Sequence, residues 1–431
     1  MDDGATGSRP HIRGARRLAG LRAPGETARI TGLHLVRDAG HGAAFSGFGA
    51  SGDPGAVHAR RPRESMRPPA PRRGPVQQES PLSRQTDRFH AAAKTGSLSE
   101  EDCDASEQGM KVGFIGLGNL GGKLAGSLLR NGIDLRVLDR EAERVADFTA
   151  LGAAAVDGAA ALMRESDVAI TCLPSPAASA AVVSALLPEI GPGKVWLEMS
   201  TTDEAEIRRL AALVEGAGGA AVDCPVSGGC HRAATGNISI FAGCDRETFE
   251  RVLPLLARLG RRVLHTGPIG SASTLKVMTN YLATANLLAC CEALVAMKAA
   301  GIDLATTHEA VRISSGASFV HDTESQLILN GSRDVNFTMD LILKDLALFQ
   351  ARAERNGVPL ELAPMIIDIM TDGQARYGQR ANTDDIIRRL EEATGLSVLA
   401  DGFPAALIDD EPEEPGYEVF PPGRGAADAA G

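Results

Sequence analysis

The run Gly116-Leu117-Gly118-Asn119-Leu120-Gly121 follows directly on the apolar stretch Val112–Ile115 and opens a segment, Lys123–Arg130, of helical composition. Few sequence features restrict a fold as tightly. A strand that passes through G-x-G-x-x-G into a helix must turn sharply at the first glycine. It must also expose its backbone at the second and pack helix against strand at the third. The amides at the start of that helix then face outward, where an anion can meet them. Strand, turn and helix occur here in the required order.

An acid closes the pattern. Asp139 stands 23 residues after Gly116, at the end of the next apolar run, Leu135–Leu138. A carboxylate at that place accepts the ribose hydroxyls of NAD and repels the 2′-phosphate of NADP. The adjacent Arg140 offers a guanidinium to such a phosphate, so NAD is favoured and NADP stays open. Gly116, Gly118, Asn119, Leu120, Gly121, Asp139 and Arg140 are therefore the candidate dinucleotide contacts.

From residue 110 to about 272, short Val/Ile/Leu runs alternate with helical stretches, the pattern of a parallel sheet wrapped by helices. Strands are expected at Val112–Ile115, Leu135–Leu138, Val168–Cys172, Val195–Leu197, Ala221–Asp223, Ile238–Ala242 and Val263–His265. After Gly270 the strand pattern stops. Residues 273–400 read as helical, with segments near 274–300, 303–313, 340–356, 359–371 and 383–393. The fold class is α/β: a Rossmann-type doubly wound domain over 110–272, then an all-α domain over 273–400. The tail, 401–431, contains Asp409-Asp410-Glu411-Pro412-Glu413-Glu414 and reads as acidic and mobile.

Residues 1–109 are different text, rich in Arg, Gly, Pro and Ser, with no apolar period able to build a core. Residues 1–98 hold 16 basic against 8 acidic side chains, and the remainder holds 28 against 47. Two readings of this leader stand: an untranslated stretch ahead of a start at Met110, or a basic arm for an acidic partner. The acidic remainder disfavours nucleic acid as a ligand of the folded part. Seven cysteines without C-x-x-C or zinc-ligand spacing suit a reducing compartment, and no metal site is expected. The most apolar segment, Tyr281–Ala300, is interrupted by Glu292 and Lys298 and reads as a buried helix rather than a membrane span. With no apolar signal region after Met1, the cytoplasm is the expected location.

Three further groups carry chemistry. Ser227-Gly228-Gly229, after Asp223-Cys224-Pro225-Val226, forms a turn whose amides and hydroxyl can hold a small carboxylate; the same text also makes an ordinary turn. Lys276 and Asn280 lie four apart, on one face of the first long helix. A lysine among Leu275, Met278 and Leu282 either snorkels or hydrogen-bonds a reacting oxygen. Lys344-Asp345, read alone, is an ion-paired helix surface.

In order and spacing these pieces resemble the β-hydroxyacid dehydrogenase family, which includes 3-hydroxyisobutyrate dehydrogenase and tartronate semialdehyde reductase. The resemblance runs from Met110 to about Glu392. It rests on Gly113-Phe114-Ile115-Gly116-Leu117-Gly118-Asn119, Asp223–Gly229, Gly267-Pro268-Ile269-Gly270 ahead of Lys276-x-x-x-Asn280, and Lys344-Asp345-Leu346. It implies that Lys276 is the catalytic lysine and that Asn280 assists it. Ser227, Gly228 and Gly229 would bind the substrate carboxylate. Leu173, Pro174, Thr201 and Lys344 would join the cofactor contacts. Homodimers or homotetramers built through the helical domain are implied as well. Leu120, Thr279 and Ala178 depart from the usual Met, Asn and Asn, and Thr279 bears on substrate identity.

The expected reaction is reversible hydride transfer between NAD and a small 3-hydroxy acid or its semialdehyde, with Lys276 as general acid/base. The alternative is a non-catalytic, oligomeric dehydrogenase-like scaffold with a basic arm. Retention of Lys276, Asn280 and the Ser-Gly-Gly turn speaks against it.

Overall fold

A computed structural model describes residues 110–423; the leader and the last eight residues lie outside the described part. The chain begins with β1 (Lys111–Ile115), α1 (Asn119–Arg130), β2 (Asp134–Leu138), α2 (Ala142–Ala150), β3 (Ala154–Ala155) and α3 (Ala159–Glu165). It continues through β4 (Val168–Thr171), α4 (Pro176–Leu186), β5 (Val195–Glu198), α5 (Glu204–Gly216) and β6 (Ala220–Asp223). These six strands are parallel in the order 3-2-1-4-5-6, the doubly wound arrangement expected from the sequence. Helices cover both faces, so β4 and β5 are buried at every position and read as continuous apolar runs.

The sheet then extends. After β7 (Val226–Ser227), α6 (Gly229–Ala234), β8 (Ser239–Gly243) and α7 (Arg246–Leu259) comes β9 (Arg262–Gly267). Strand β8 runs antiparallel to β6 and β7 but parallel to β9. One apolar cluster fills the face under α1 and α7, and another packs Trp196, Leu162 and Leu210 on the opposite face.

The helical part comprises α8 (Ser271–Ala299), α9 (Leu304–Arg312), α10 (Phe319–Asn330), α11 (Met339–Arg355), α12 (Leu362–Tyr377), a 3₁₀ turn (Thr383–Ile387) and α13 (Arg388–Thr394). Asp203, Asp245 and Asp303 cap α5, α7 and α9 by accepting first-turn amides. By length and composition α8 could cross a bilayer, the one such helix among the described residues, despite Glu292 and Lys298. Its surroundings are those of a core helix instead. It packs on β8 at one end and on α9, α10 and α11 along its length.

Two expectations change. Helix α10 was not expected; its buried face includes His321 and Ser325, which break the apolar period. Its boundaries are nonetheless marked, because Ser318 caps the start and Gly331 ends it in the left-handed region. The described part of the tail is packed on the fold rather than free of it. Residues 409–418 lie along the sheet domain, acidic side chains opposite arginines, and end in β10 (Tyr417–Glu418) paired with β9.

The two halves are joined at a buried carboxylate. Asp223, at the end of β6, accepts from the Gly270 amide at 3.1 Å, the Ser273 amide at 2.8 Å and the Ser273 hydroxyl at 2.6 Å. Burial raises its carboxyl to about 6, against the pull of those donors. This junction fixes the start of α8 on the end of the central sheet.

Candidate active site

The turn after β1 is shaped by close approaches. Gly116 has φ of 100°, and a Cβ there would lie 2.3 Å from the Cys172 carbonyl oxygen. A Cβ on Gly121 would lie 1.9 Å from the Gly116 carbonyl oxygen. Gly118 is another matter: a Cβ there would meet only the Arg144 guanidinium, at 3.4 Å. Protein packing therefore accounts for the first and third glycines and leaves open space over the second. That space adjoins the N-terminus of α1, whose leading amides have no intrahelical acceptor. Open backbone at Gly118, uncapped helix amides and the Arg144 guanidinium are the chemistry that a pyrophosphate requires.

Asp139 sits at the end of β2 and holds this turn directly. Its Oδ2 accepts from the Leu117 amide at 2.6 Å and its Oδ1 from the Glu141 amide at 2.8 Å. Arg140 points to solvent. Arg144, paired with Glu141 at 3.0 Å, is the guanidinium that overhangs Gly118. Asn119 is exposed and Leu120 packs partly against the core.

Beside this turn, β4 and β5 end together. The Ser200 hydroxyl accepts from the Leu173 amide at 2.7 Å, and Glu198 accepts from the Ser200 amide at 2.8 Å. These bonds hold Leu173-Pro174 against the segment that contains Thr201. Lys344 on α11 reaches across from the helical part and donates to the Thr201 carbonyl oxygen at 2.8 Å.

Lys344 also pairs with Asp345 at 2.7 Å, and Asp345 accepts from Asn280 Nδ2 at 2.5 Å. Asp345 is 1 % exposed. It is no surface residue, contrary to the reading of Lys344-Asp345 in isolation. One turn before Asn280, Lys276 is half-buried. Burial pushes the amine down to about 8, with Asp345 pulling it up and Lys344 pressing it further down. Lys276, Asn280, Asp345, Lys344 and Thr201 thus form one constellation where the two halves meet.

The Ser227–Gly229 turn leads from β7 into α6, and β7 pairs with β8, on which α8 packs. Gly228 and Gly229 have φ of 126° and 86°, a backbone that side-chained residues rarely adopt.

Residues 111–267 match the NAD binding domain of 6-phosphogluconate dehydrogenase. Residues 270–390 match the NAD-binding family of NADP-dependent 3-hydroxyisobutyrate dehydrogenase. The 2-(hydroxymethyl)glutarate dehydrogenase of Eubacterium barkeri is 31 % identical over 296 residues, 68 % of this chain and 98 % of that one. The chain belongs to the β-hydroxyacid dehydrogenase family. A second relative in that family, the NAD-dependent L-serine dehydrogenase of Pseudomonas aeruginosa, is 33 % identical over 58 % of this chain and 88 % of that one. The solved Mycobacterium tuberculosis 3-hydroxyisobutyrate dehydrogenase with L-serine superposes with a TM-score of 0.61. It is 25 % identical and covers 65 % of this chain and 99 % of that one. As a β-hydroxyacid dehydrogenase, the protein is an NAD(P)-dependent oxidoreductase of small hydroxy acids.

Asp345 is the residue that the sequence reading named without a role. A signal was available: it lies at the start of an apolar helix, beside a lysine singled out for its motif. Nothing local shows that its partner is Asn280, 65 residues earlier.

Proposed function

We propose that the protein oxidises, reversibly and with NAD, the primary hydroxyl of a 2-substituted 3-hydroxypropanoate, with Lys276 as general acid/base. The carrying observation is the place of Lys276: one turn before Asn280, whose side chain bonds the buried Asp345 beside Lys344, with burial pushing the Lys276 amine down to about 8. A group that titrates near the working pH can both take and return a proton. The names of three relatives support the substrate class. 2-(Hydroxymethyl)glutarate, L-serine and 3-hydroxyisobutyrate share one HO–CH₂–CH–COO⁻ core and differ in what C2 carries.

NAD, when bound, accepts the hydride that leaves the carbinol carbon. Gly116, Gly118, Asn119, Leu120, Gly121, Asp139 and Arg140 would hold it, with Leu173, Pro174, Thr201 and Lys344. Ser227 and the amides of Gly228 and Gly229 bind the carboxylate, so that the carbinol end is presented to Lys276. In oxidation the hydroxyl proton passes to Lys276 Nζ; in reduction the ammonium returns it to the forming alkoxide. Asn280 donates to Asp345 and keeps its carbonyl oxygen available to orient Lys276 or the hydroxyl. We further place the protein in the cytoplasm as a homodimer or homotetramer, an assembly supported by the exposed Leu282 and Met297 on α8.

The test is a panel of short hydroxy acids with NAD, read by absorbance of the reduced cofactor. Turnover of 3-hydroxy acids above 2-hydroxy and 4-hydroxy acids of equal length is expected. No turnover across the 3-hydroxy set would overturn the assignment.

A further inference from the structure

We propose that residues 409–418 are a positioning strap that holds the substrate-carboxylate turn in place. The proposal rests on the reading of Ser227–Gly229 as that turn. The match to the 3-hydroxyisobutyrate dehydrogenase family domain ends at residue 390, and this segment lies beyond it. After α13 the chain first anchors on the helical part. The Ala400 amide donates to the Leu329 carbonyl at 2.9 Å, and Asn330 Nδ2 donates to the Phe403 carbonyl at 2.8 Å. It then crosses to the sheet domain and engages the residues directly after the turn.

Those contacts are specific. Asp409 accepts from the Thr235 hydroxyl and, at 2.8 Å, from Asn237 Nδ2. The same Asn237 amide donates to the Glu411 carbonyl at 2.9 Å. Asn237 is fully buried with the strap in place, so weakening an acceptor there costs more than losing a surface ion pair. Glu411 pairs with Arg232 at 3.2 Å. The Arg232 stem lies against Gly228, where a Cβ would meet its Cδ at 3.3 Å. Its guanidinium sits 5.1 Å from the ring centre of Phe319 on α10. Arg232 is thus clamped between the strap and the helical part while it backs the turn. Farther along, Glu413 holds Arg130 at 3.1 Å and Glu418 holds Arg246 through two bonds, of 2.6 and 3.0 Å. Main-chain bonds from Gly416, Tyr417 and Val419 to residues 257–263 fix the end of the strap in the sheet.

In this arrangement Asp409 and Glu411 are positioning residues. They are placed to hold Arg232, whose stem lies against Gly228, and to order Thr235 and Asn237 just after it.

The test uses the full chain and its Asp409→Asn/Glu411→Gln double variant, with Glu411→Asp as the conservative control. Without substrate, amide hydrogen exchange across 227–237 should quicken about tenfold in the double variant, a local opening, while β4 stays protected. The KM for the hydroxy acid should rise by about tenfold, as for one lost charge-assisted contact, with kcat and the cofactor KM within about twofold. Glu411→Asp should retain most of the original KM. Unchanged exchange, or quickened exchange with an unchanged substrate KM, overturns the strap. Loss of protection in β4 as well would mark a general destabilisation and overturn it too. If the unmodified protein turns over no 3-hydroxy acid, the reading of the turn has failed, and the exchange measurement alone decides whether the strap orders it.

Discussion

Asn280 Nδ2 donates to Asp345 Oδ2 at 2.5 Å, across the contact between α8 and α11. The bond ties the helix that carries Lys276 to the helix that carries Lys344, and Lys344 in turn holds the Thr201 carbonyl of the sheet domain. One buried carboxylate therefore connects Asn280, one turn from Lys276, to Lys344 and the seam between the halves.

Replacing that carboxylate tests the connection. Asp345→Asn keeps the shape but removes the charge that favours the Lys276 ammonium. The Lys276 midpoint should fall below about 8, and kcat should drop by about tenfold or more as the Asn280 contact weakens. A pH profile of kcat/KM for the variant checks this. An unmoved midpoint would show that Asp345 does not act on the lysine.

The unmodified protein has its own pH signature. Oxidation needs the neutral amine, so kcat/KM should climb as pH rises and level off above about 8. Reduction needs the ammonium and should decline over the same range. Parallel profiles for the two directions would exclude a single group in both roles.

Lys276 also bears on stability. Its amine titrates at about 8 in the fold against 10.5 ordinarily, so the fold disfavours the charged form. The penalty is full below pH 8 and fades as pH rises through 10.5. Lys276→Met should therefore raise stability at pH 7 by about 1 kcal/mol, seen as a higher Tm that converges with the unmodified protein at alkaline pH. A lower Tm at pH 7 would mean that the ammonium is well solvated where it sits.

The place of Asp139 at the end of β2 makes cofactor preference a test of its proposed role. Two negative charges about 4 Å apart repel by roughly 4 kcal/mol at an effective dielectric of 20, so a 2′-phosphate beside Asp139 is disfavoured. We expect kcat/KM to favour NAD by at least about tenfold. Asp139 also accepts the Leu117 and Glu141 amides, so Asp139→Asn should narrow the gap from both sides. NADP gains as the repulsion goes, and NAD loses as the turn loosens. Steady-state kinetics with both cofactors checks this; a preference for NADP in the unmodified protein would give the site to Arg140 or Arg144.

What could be read from the sequence follows from where its causes lie. Gly116 and Gly121 were legible because steric demands within a few residues leave only glycine. The parallel strands were legible because burial on both faces writes itself as apolar runs. Asp345 was not, since a Lys-Asp pair on a helix carries the same text at a surface and in a core. Nor was the docking of the tail, whose Asp409 and Glu411 meet Asn237 and Arg232 more than 170 residues away. β3, β7 and β10 have two residues each, too few to show a period.

Removal of the Lys276 amine bears most directly on the proposed proton transfer. The direct measurement is turnover of the best 3-hydroxy acid by Lys276→Ala, on protein whose fold and NAD affinity are verified in the same preparation. A loss of kcat of about 10²-fold or more is expected, the usual scale of general acid–base catalysis, with NAD affinity unchanged. Turnover near that of the unmodified protein would contradict the proposed transfer.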